Sequence, residues 1–464
     1  MNSNNCDIII AGSGFAGLSA AIEAAEGGAS VVVLEKMKAA GGNSVISDGG
    51  MAVAGSELQK KHGVEDSPEL FYQDMMTAGL GLNHPALVKK LTDQSAEAYR
   101  WLVEDIKVDF MDRVDLFGGH SVPRSHGAVK VTGASIINPM KKKLESLGVS
   151  IRYGHNLKRL ILKDGRVTGA VVSQDYSYKT GEGSSEYELQ ASQGVILAGG
   201  GYGADVPFRS AQDPRLDESI GTTNKPFAKA DLIKEALRIG AAPVQLSHIQ
   251  LGPWASPDES GFGDGPLFAD YTGFIYGIIV DPESGERFIN EQADRKVVSD
   301  AILGKGKPCL CISDSAAVNY TGWDIGKALR KGVVKTFHTL EALCAEYGVP
   351  QDPLQASIDD FNQLVQGKKK DGYGRILPRD AMNLGTAPYY AMRLWPKVHF
   401  TMGGLHIDKE ARVLDLNGQV IPGLFAAGEI TGGVHGASRL GSCAVTSCVV
   451  FGRTAGKQAL NGTN

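Results

Sequence analysis

Gly12, Gly14 and Gly17 are spaced as G-x-G-x-x-G, and Glu35 follows the first of them by 23 residues. Glycines so placed let a tight turn bring backbone N–H groups against a pyrophosphate, and the acid can take ribose hydroxyls. Such chemistry needs elements that hold it. Residues 7–11 are a short apolar, β-branched run, residues 18–26 are Ala-rich, and residues 30–34 form a second apolar run ending at Glu35. The pattern predicts strand, turn, helix, strand and acid, which is the context that turns a weak motif into an adenine-dinucleotide site.

Further glycine clusters follow. Residues 41–51 read GGNSVISDGGM, a small-residue loop suited to lie against a flat ring, where only hydrogens and short side chains fit. Residues 195–203 (VILAGGGYG) and 423–429 (GLFAAGE) each read as a strand running into small residues. The second leads into GGVHGASRLG at 432–441, with a helix expected from about 442 to 457. Together the 464 residues contain 59 glycines but only 19 prolines, with no G-x-y period, so collagen and low-complexity disorder are excluded. A net charge of −5 offers no basic surplus for nucleic acid or an anionic membrane surface. No apolar run approaches the ~20 residues a bilayer span needs, and no export signal is evident, so a cytoplasmic protein is expected. Six cysteines at irregular spacing give neither a disulfide framework nor a zinc or haem motif, and the histidines suggest no metal site.

The blocks at 12–17, 42–50, 198–203, 285–295 (GERFINEQADR), 401–404 (TMGG) and 426–441 (AAGEITGGVHGASRLG) resemble the FAD-containing flavoproteins of the fumarate reductase/succinate dehydrogenase family. The soluble, flavocytochrome-c-type branch, with its 2-enoate, urocanate and acrylate reductases, is the most similar. The resemblance implies an α/β fold: a Rossmann-like FAD-binding domain with a β-meander near 154–190, interrupted by an α+β clamp domain. It places the FAD domain at 1–246 and 400–464 and the clamp at 247–399. Cofactor contacts are expected from Gly12, Gly14, Phe15, Ala16, Gly17, Glu35, Lys36, Gly42, Asn43, Ser44, Asp48, Gly49, Gly50, Gly199, Gly200, Gly428, Glu429, Arg439, Gly441, Ser442, Ala444 and Val445. Relatives that bind FAD covalently do so through a histidine near the 42–50 loop. Here the first histidine is His62, so the FAD is expected to be non-covalent. The chain starts five residues before its first strand, with no haem or flavin-carrying domain, so a separate electron donor is expected: another protein, a reduced flavin or NAD(P)H.

The resemblance also implies the chemistry. Arg439 would clamp a substrate carboxylate and Arg295 would protonate the carbon left as a carbanion by hydride transfer. Read from the residues alone, Arg295 is as well explained by a helix-surface pair with Glu291, four residues upstream. The departures bear on substrate. Gly252 and Phe400 stand where fumarate reductases place two carboxylate-binding histidines, and Tyr271 and Phe274 stand where their proton relay has an acid and an arginine, 24 and 21 positions before the donor. A second carboxylate would then be buried without partners, at a cost of several kcal/mol. With Trp254, Phe262, Phe268 and Tyr276 nearby in sequence, the expected substrate is an α,β-unsaturated monocarboxylate, aryl-substituted acids included. Gly252, Phe400, Trp254 and Phe274 would line its pocket, and Tyr271 would assist as donor or relay. Packing of the clamp explains most of these aromatics equally well. A ketosteroid-type dehydrogenase using Tyr271 or Tyr276 as base, a fumarate reductase, and a non-catalytic flavoprotein are the alternatives.

Overall fold

A computed structural model describes residues 4–462, which fall into two compact units. The first is built from residues 4–217, 224–249 and 400–462 and the second from 218–223 and 250–399.

In the first unit, strand β1 (Asn5–Ala11) pairs in parallel with β2 (Val31–Glu35) on one side and with strand Ser185–Leu197 on the other. Ile9 sits opposite both Val32 and Val195. Strand Ile151–Tyr153 extends the parallel sheet beyond β2, and Val420–Ala426 extends it beyond Ser185–Leu197. Strands Asn156–Lys163, Arg166–Gln174 and Ser185–Leu197 form the antiparallel meander. A parallel sheet must be covered on both faces, which is why β1 reads as a continuous apolar run and Ile8, Ile9 and Ile10 are fully buried.

Helix α1 spans Phe15–Glu26, so it begins three residues before the Ala-rich stretch. The glycine motif supplies its first turn, with Gly14 as N-cap. Helix Cys443–Leu460 crosses α1 closely: a Cβ on Gly452 would stand 2.5 Å from the Ala16 carbonyl oxygen, and one on Gly456 would stand 2.4 Å from that of Ala20. The expected 41–51 loop is more structured than its composition suggests. Ser44–Ile46 is a 3-10 turn, and Gly50–Ala52 is a strand paired with Ser125–Gly127.

The second unit has a four-stranded antiparallel sheet, ordered Ile278–Val280, Cys309–Asp314, Tyr389–Leu394, Val334–Phe337. One apolar cluster gathers Trp254, Phe268, Phe274, Ile279, Cys311 and Met392 and another Leu310, Ile312, Leu343, Ile358 and Phe361. The division departs from the expected one in two places. Residues 218–223 join the second unit because the Thr223 N–H donates to the Val398 carbonyl at 2.9 Å and Thr222 bridges the same strand. Residues 247–249 stay with the first, where the Met402 N–H donates to the His248 carbonyl and Ile249 packs on the core. Among the described residues no helix is long and apolar enough to cross a membrane.

Candidate active site

At the C-terminal edge of the parallel sheet the first unit opens a cleft enclosing about 990 Å³ of non-protein space. Of the residues expected at the cofactor, Gly12, Gly14, Phe15, Ala16, Glu35, Lys36, Gly42, Asn43, Ser44, Gly199, Gly200, Gly428 and Glu429 line it. Gly12 has φ +113°, and a Cβ there would lie 2.3 Å from the Ala198 carbonyl oxygen, so only glycine fits. Gly17 lies behind the cleft, close-packed on the Gly12 carbonyl. With glycine as N-cap, α1 starts without a side-chain cap of its own, and the Phe15 N–H donates to Ser44 Oγ at 3.1 Å. Glu35 is held ready: Ser13 donates to it from N–H and hydroxyl at 3.2 and 2.5 Å, and the Met37 N–H at 2.8 Å. Burial raises its carboxyl, the bonds from Ser13 and Met37 opposing the shift.

Asp48, Gly49, Gly50, Arg439, Gly441, Ser442, Ala444 and Val445 do not line this cleft. Several of them share a second neighbourhood in the same unit. The Ala52 N–H donates to the Ser442 carbonyl at 3.2 Å, Ser125 and Ser442 hydroxyls meet at 2.6 Å, and a Cβ on Gly50 would touch both hydroxyls. Ser442, with φ +62°, ends the turn and begins helix Cys443–Leu460. The turn is also held by His120, whose Nε2 lies 3.0 Å from the Gly441 carbonyl. Nδ1 of His120 faces Arg124 at 2.9 Å, so the ring is neutral with its proton on Nε2, and burial lowers it to about 4. Behind it Arg124 pairs with Asp66 and Asp74, buried as a set.

Arg439 is 4% exposed. Its guanidinium carbon stands 4.6 Å from the centre of the Phe400 ring, a cation–π contact, and Nη1 donates to the Leu440 carbonyl at 2.9 Å. His435 meets the same phenyl ring edge-on at 5.5 Å. Burial, and then Arg439, lower His435 to about 3, so it stays neutral. Glu429 accepts from the Thr401 N–H at 3.0 Å and hydroxyl at 3.3 Å, and burial pushes its carboxyl up to about 7 despite Arg439.

The second unit holds Arg295 in a different setting. Arg295 is the first residue of helix Arg295–Gly304, and its Nη2 donates to Asp270 at 3.3 Å. The helix-surface pair with Glu291 does not form. Glu291 precedes the helix and is claimed by Arg287 at 2.8 Å and Arg375 at 2.9 Å, all largely buried. Asp270 lies in a π-helical turn, Ala269–Gly273. Tyr271, beside it, is buried and meets Trp323 edge-on at 4.7 Å, and Phe274 is core. Trp254 lies beneath the Arg295 guanidinium, 5.9 Å from it, and its ring covers Gly252, where a Cβ would stand 3.0 to 3.2 Å from three ring carbons. The absent side chain at 252 is thus replaced in space by an indole.

The sequence reading missed Asp270 and part of the cleft. His155, Asn156, Leu157, Lys229, Asp231 and Cys448 line the cleft but belong to none of the glycine blocks. The first three were recoverable in principle, since strand Ile151–Tyr153 pairs with β2 at Glu35 and its exit must share the cofactor edge. Segment 224–233 carries no such signal. It is tied in by Asn43, which donates to Asn224 at 2.6 Å and accepts from the Lys225 N–H at 2.8 Å.

The family model described as FAD binding domain matches residues 7–445. The chain is 38% identical over 460 residues to the acrylate reductase flavoprotein subunit of Shewanella woodyi, spanning 97% of this chain and 90% of that protein. It is 34% identical over 470 residues to the urocanate reductase of Eggerthella lenta, spanning 98% and 75%. Among solved structures, the open conformation of a flavocytochrome c3 fumarate reductase superposes with a TM-score of 0.77 at 33% identity, covering 99% of this chain and 78% of that one.

Proposed function

The chain belongs to the FAD binding domain family, and from that premise we propose that it reduces the C=C bond of an α,β-unsaturated carboxylic acid. The cleft suits the cofactor: its glycines clear space at the start of α1, and Glu35 stands fixed at the end of β2. When bound, FAD supplies the hydride chemistry. The loop 41–52 has neither histidine nor cysteine, which supports non-covalent binding.

The residues of the chain divide the remaining work. Arg439 holds the substrate carboxylate, its guanidinium supported on the face of the Phe400 ring. Arg295 gives the proton to the α-carbon as the β-carbon receives hydride, and Asp270 orients the guanidinium and returns the proton from solvent. An arginine is a poor acid, with an ordinary pKa above 12, but a carbanion is a stronger base still. The balance is one hydride and one proton added per double bond, with two electrons restored by a separate donor. The partly buried Arg295–Asp270 pair is the observation that carries this reading. Tyrosine-based dehydrogenation draws less support, because the Tyr276 hydroxyl donates to Asp380 at 2.8 Å and Tyr271 is packed on Trp323. A monocarboxylate is favoured over fumarate, since Gly252 and Phe400 offer no charge to a second carboxylate.

Mixing the reduced holoenzyme anaerobically with acrylate, cinnamate, urocanate, fumarate and a ketosteroid tests this. Reoxidation by one or more of the monocarboxylates is expected. Reoxidation by fumarate alone would overturn the monocarboxylate reading, and response to none of the unsaturated acids would overturn the reaction itself.

A further inference from the structure

Trp254 carries a polar atom that the protein leaves unpaired. The residue is 2% exposed, and its indole Nε1 has no hydrogen-bond partner among the described residues. Buried indole N–H groups ordinarily find an acceptor, because an unsatisfied donor costs about 1–3 kcal/mol. The ring is not free to turn and find one. Gly252 lies against its face, His399 meets it edge-on at 4.9 Å, and Phe262 packs at 5.1 Å. His399 is itself fixed by Thr223, 2.9 Å from Nδ1. Phe262 sits between Gly261 and Gly263, both in the left-handed region at φ +65° and +78°.

We propose that Trp254 determines substrate specificity, its N–H donating to a neutral acceptor on the substrate beyond its carboxylate: the carbonyl oxygen of an ester, amide or ketone. This rests on the reading of Arg295 as the proton donor, because that guanidinium, 5.9 Å from the indole, is what places Trp254 at the reaction. An indole N–H is a donor without charge. The nearby cation is already matched by Asp270, so a second carboxylate arriving there would be buried against a neutral donor with another carboxylate close by. A carbonyl oxygen has neither penalty. To reach Nε1 it would have to displace the Phe262 ring, which packs on the indole at 5.1 Å.

Fumarate, its monomethyl ester and (E)-hex-2-enoate present a charged, a neutral polar and an apolar group at one position. The test compares the FAD-loaded wild type with Trp254→Phe, which keeps a ring and removes the N–H. Two readouts are taken: kcat/KM, and the dissociation constant from perturbation of the oxidised flavin spectrum. The wild type should prefer the monoester to fumarate. The substitution should lower kcat/KM for the monoester and weaken its binding by about tenfold, the worth of one hydrogen bond, while hex-2-enoate and acrylate stay within about twofold. Equal losses for monoester and hex-2-enoate, or a wild type that binds fumarate the better, would overturn the proposal. If no enoate is turned over, the reductase reading fails on its own, and the dissociation constants still decide whether Trp254 holds the ester.

Discussion

Arg295 and Arg439 are guanidinium groups in largely buried surroundings of separate units, and their partners differ. Arg295 faces a carboxylate, Asp270, with an indole beneath it. Arg439 lies on a phenyl ring, with a neutral histidine against the same ring and Glu429 held close to protonation nearby. An aromatic face supports a cation without neutralising it. A guanidinium that must hand over a proton and recover it needs an acid beside it. On the proposed reading, the same side chain serves binding in one unit and proton transfer in the other.

Removing the proposed proton donor should have the largest effect. Arg295→Gln is expected to lower kcat about 10²- to 10⁴-fold, the usual worth of general acid catalysis, with little change in KM. Arg439→Met should do the reverse. Loss of a buried charge partner costs about 2–5 kcal/mol, so KM should rise about 30-fold or more with kcat less affected. Steady-state kinetics on the two variants break the comparison if both move the same parameter.

The region around Arg439 gives a pH test. Glu429 holds its proton in the folded protein up to about 7, against 4.5 as its ordinary value. Between these values the folded state binds a proton that the unfolded state has released. This contribution to stability is therefore present at low pH and is lost as pH rises, amounting to about 3 kcal/mol once pH exceeds 7. Denaturation of the FAD-free protein should show Glu429→Gln gaining on the wild type by about that amount between pH 4.5 and 8. A gap that does not change with pH would mean that Glu429 is already ionised.

Asp270→Asn, which keeps the side chain's shape but removes its charge, should lower kcat about 10- to 100-fold, the range of a hydrogen bond between charged groups. It should also move the pH profile of kcat, which a purely structural residue would not do. Asp270 shows where the sequence stops being legible. Counting 24 and 21 residues back from Arg295 lands on Tyr271 and Phe274, and suggests that the acid is gone. Asp270, one position before Tyr271, lies in a π turn over Ala269–Gly273 and is the carboxylate that pairs with Arg295. A fixed offset cannot see a change of helix type. By contrast, the β1–α1–β2 elements and most of the glycine cleft were readable because the residue types carry the signal: the turn at Gly12, with φ +113°, favours glycine whatever packs against it. The alternative pairing of Arg295 with Glu291 fails for another local reason. Spacing by four implies a helix, but Glu291 lies before the helix begins and serves Arg287 and Arg375.

Gly252 and Gly12 give the finest version of the contrast, and the smallest effect. A Cβ at position 252 would meet ring carbons of Trp254 at 3.0 to 3.2 Å, and this ring is pinned by His399 and Phe262. Gly252→Ala should therefore cost about 1–3 kcal/mol as overpacking. The obstacle is a side chain, so it can be removed: adding Trp254→Phe should recover part of the loss, a coupling of at least about 0.5 kcal/mol in a double-mutant cycle of denaturation free energies. Gly12→Ala collides with the Ala198 carbonyl at a φ of +113°, and no second side-chain change should restore it. If Trp254→Phe failed to relieve Gly252→Ala, the glycine at 252 would have to be explained by the backbone, and the indole would lose its claim to the space beside it.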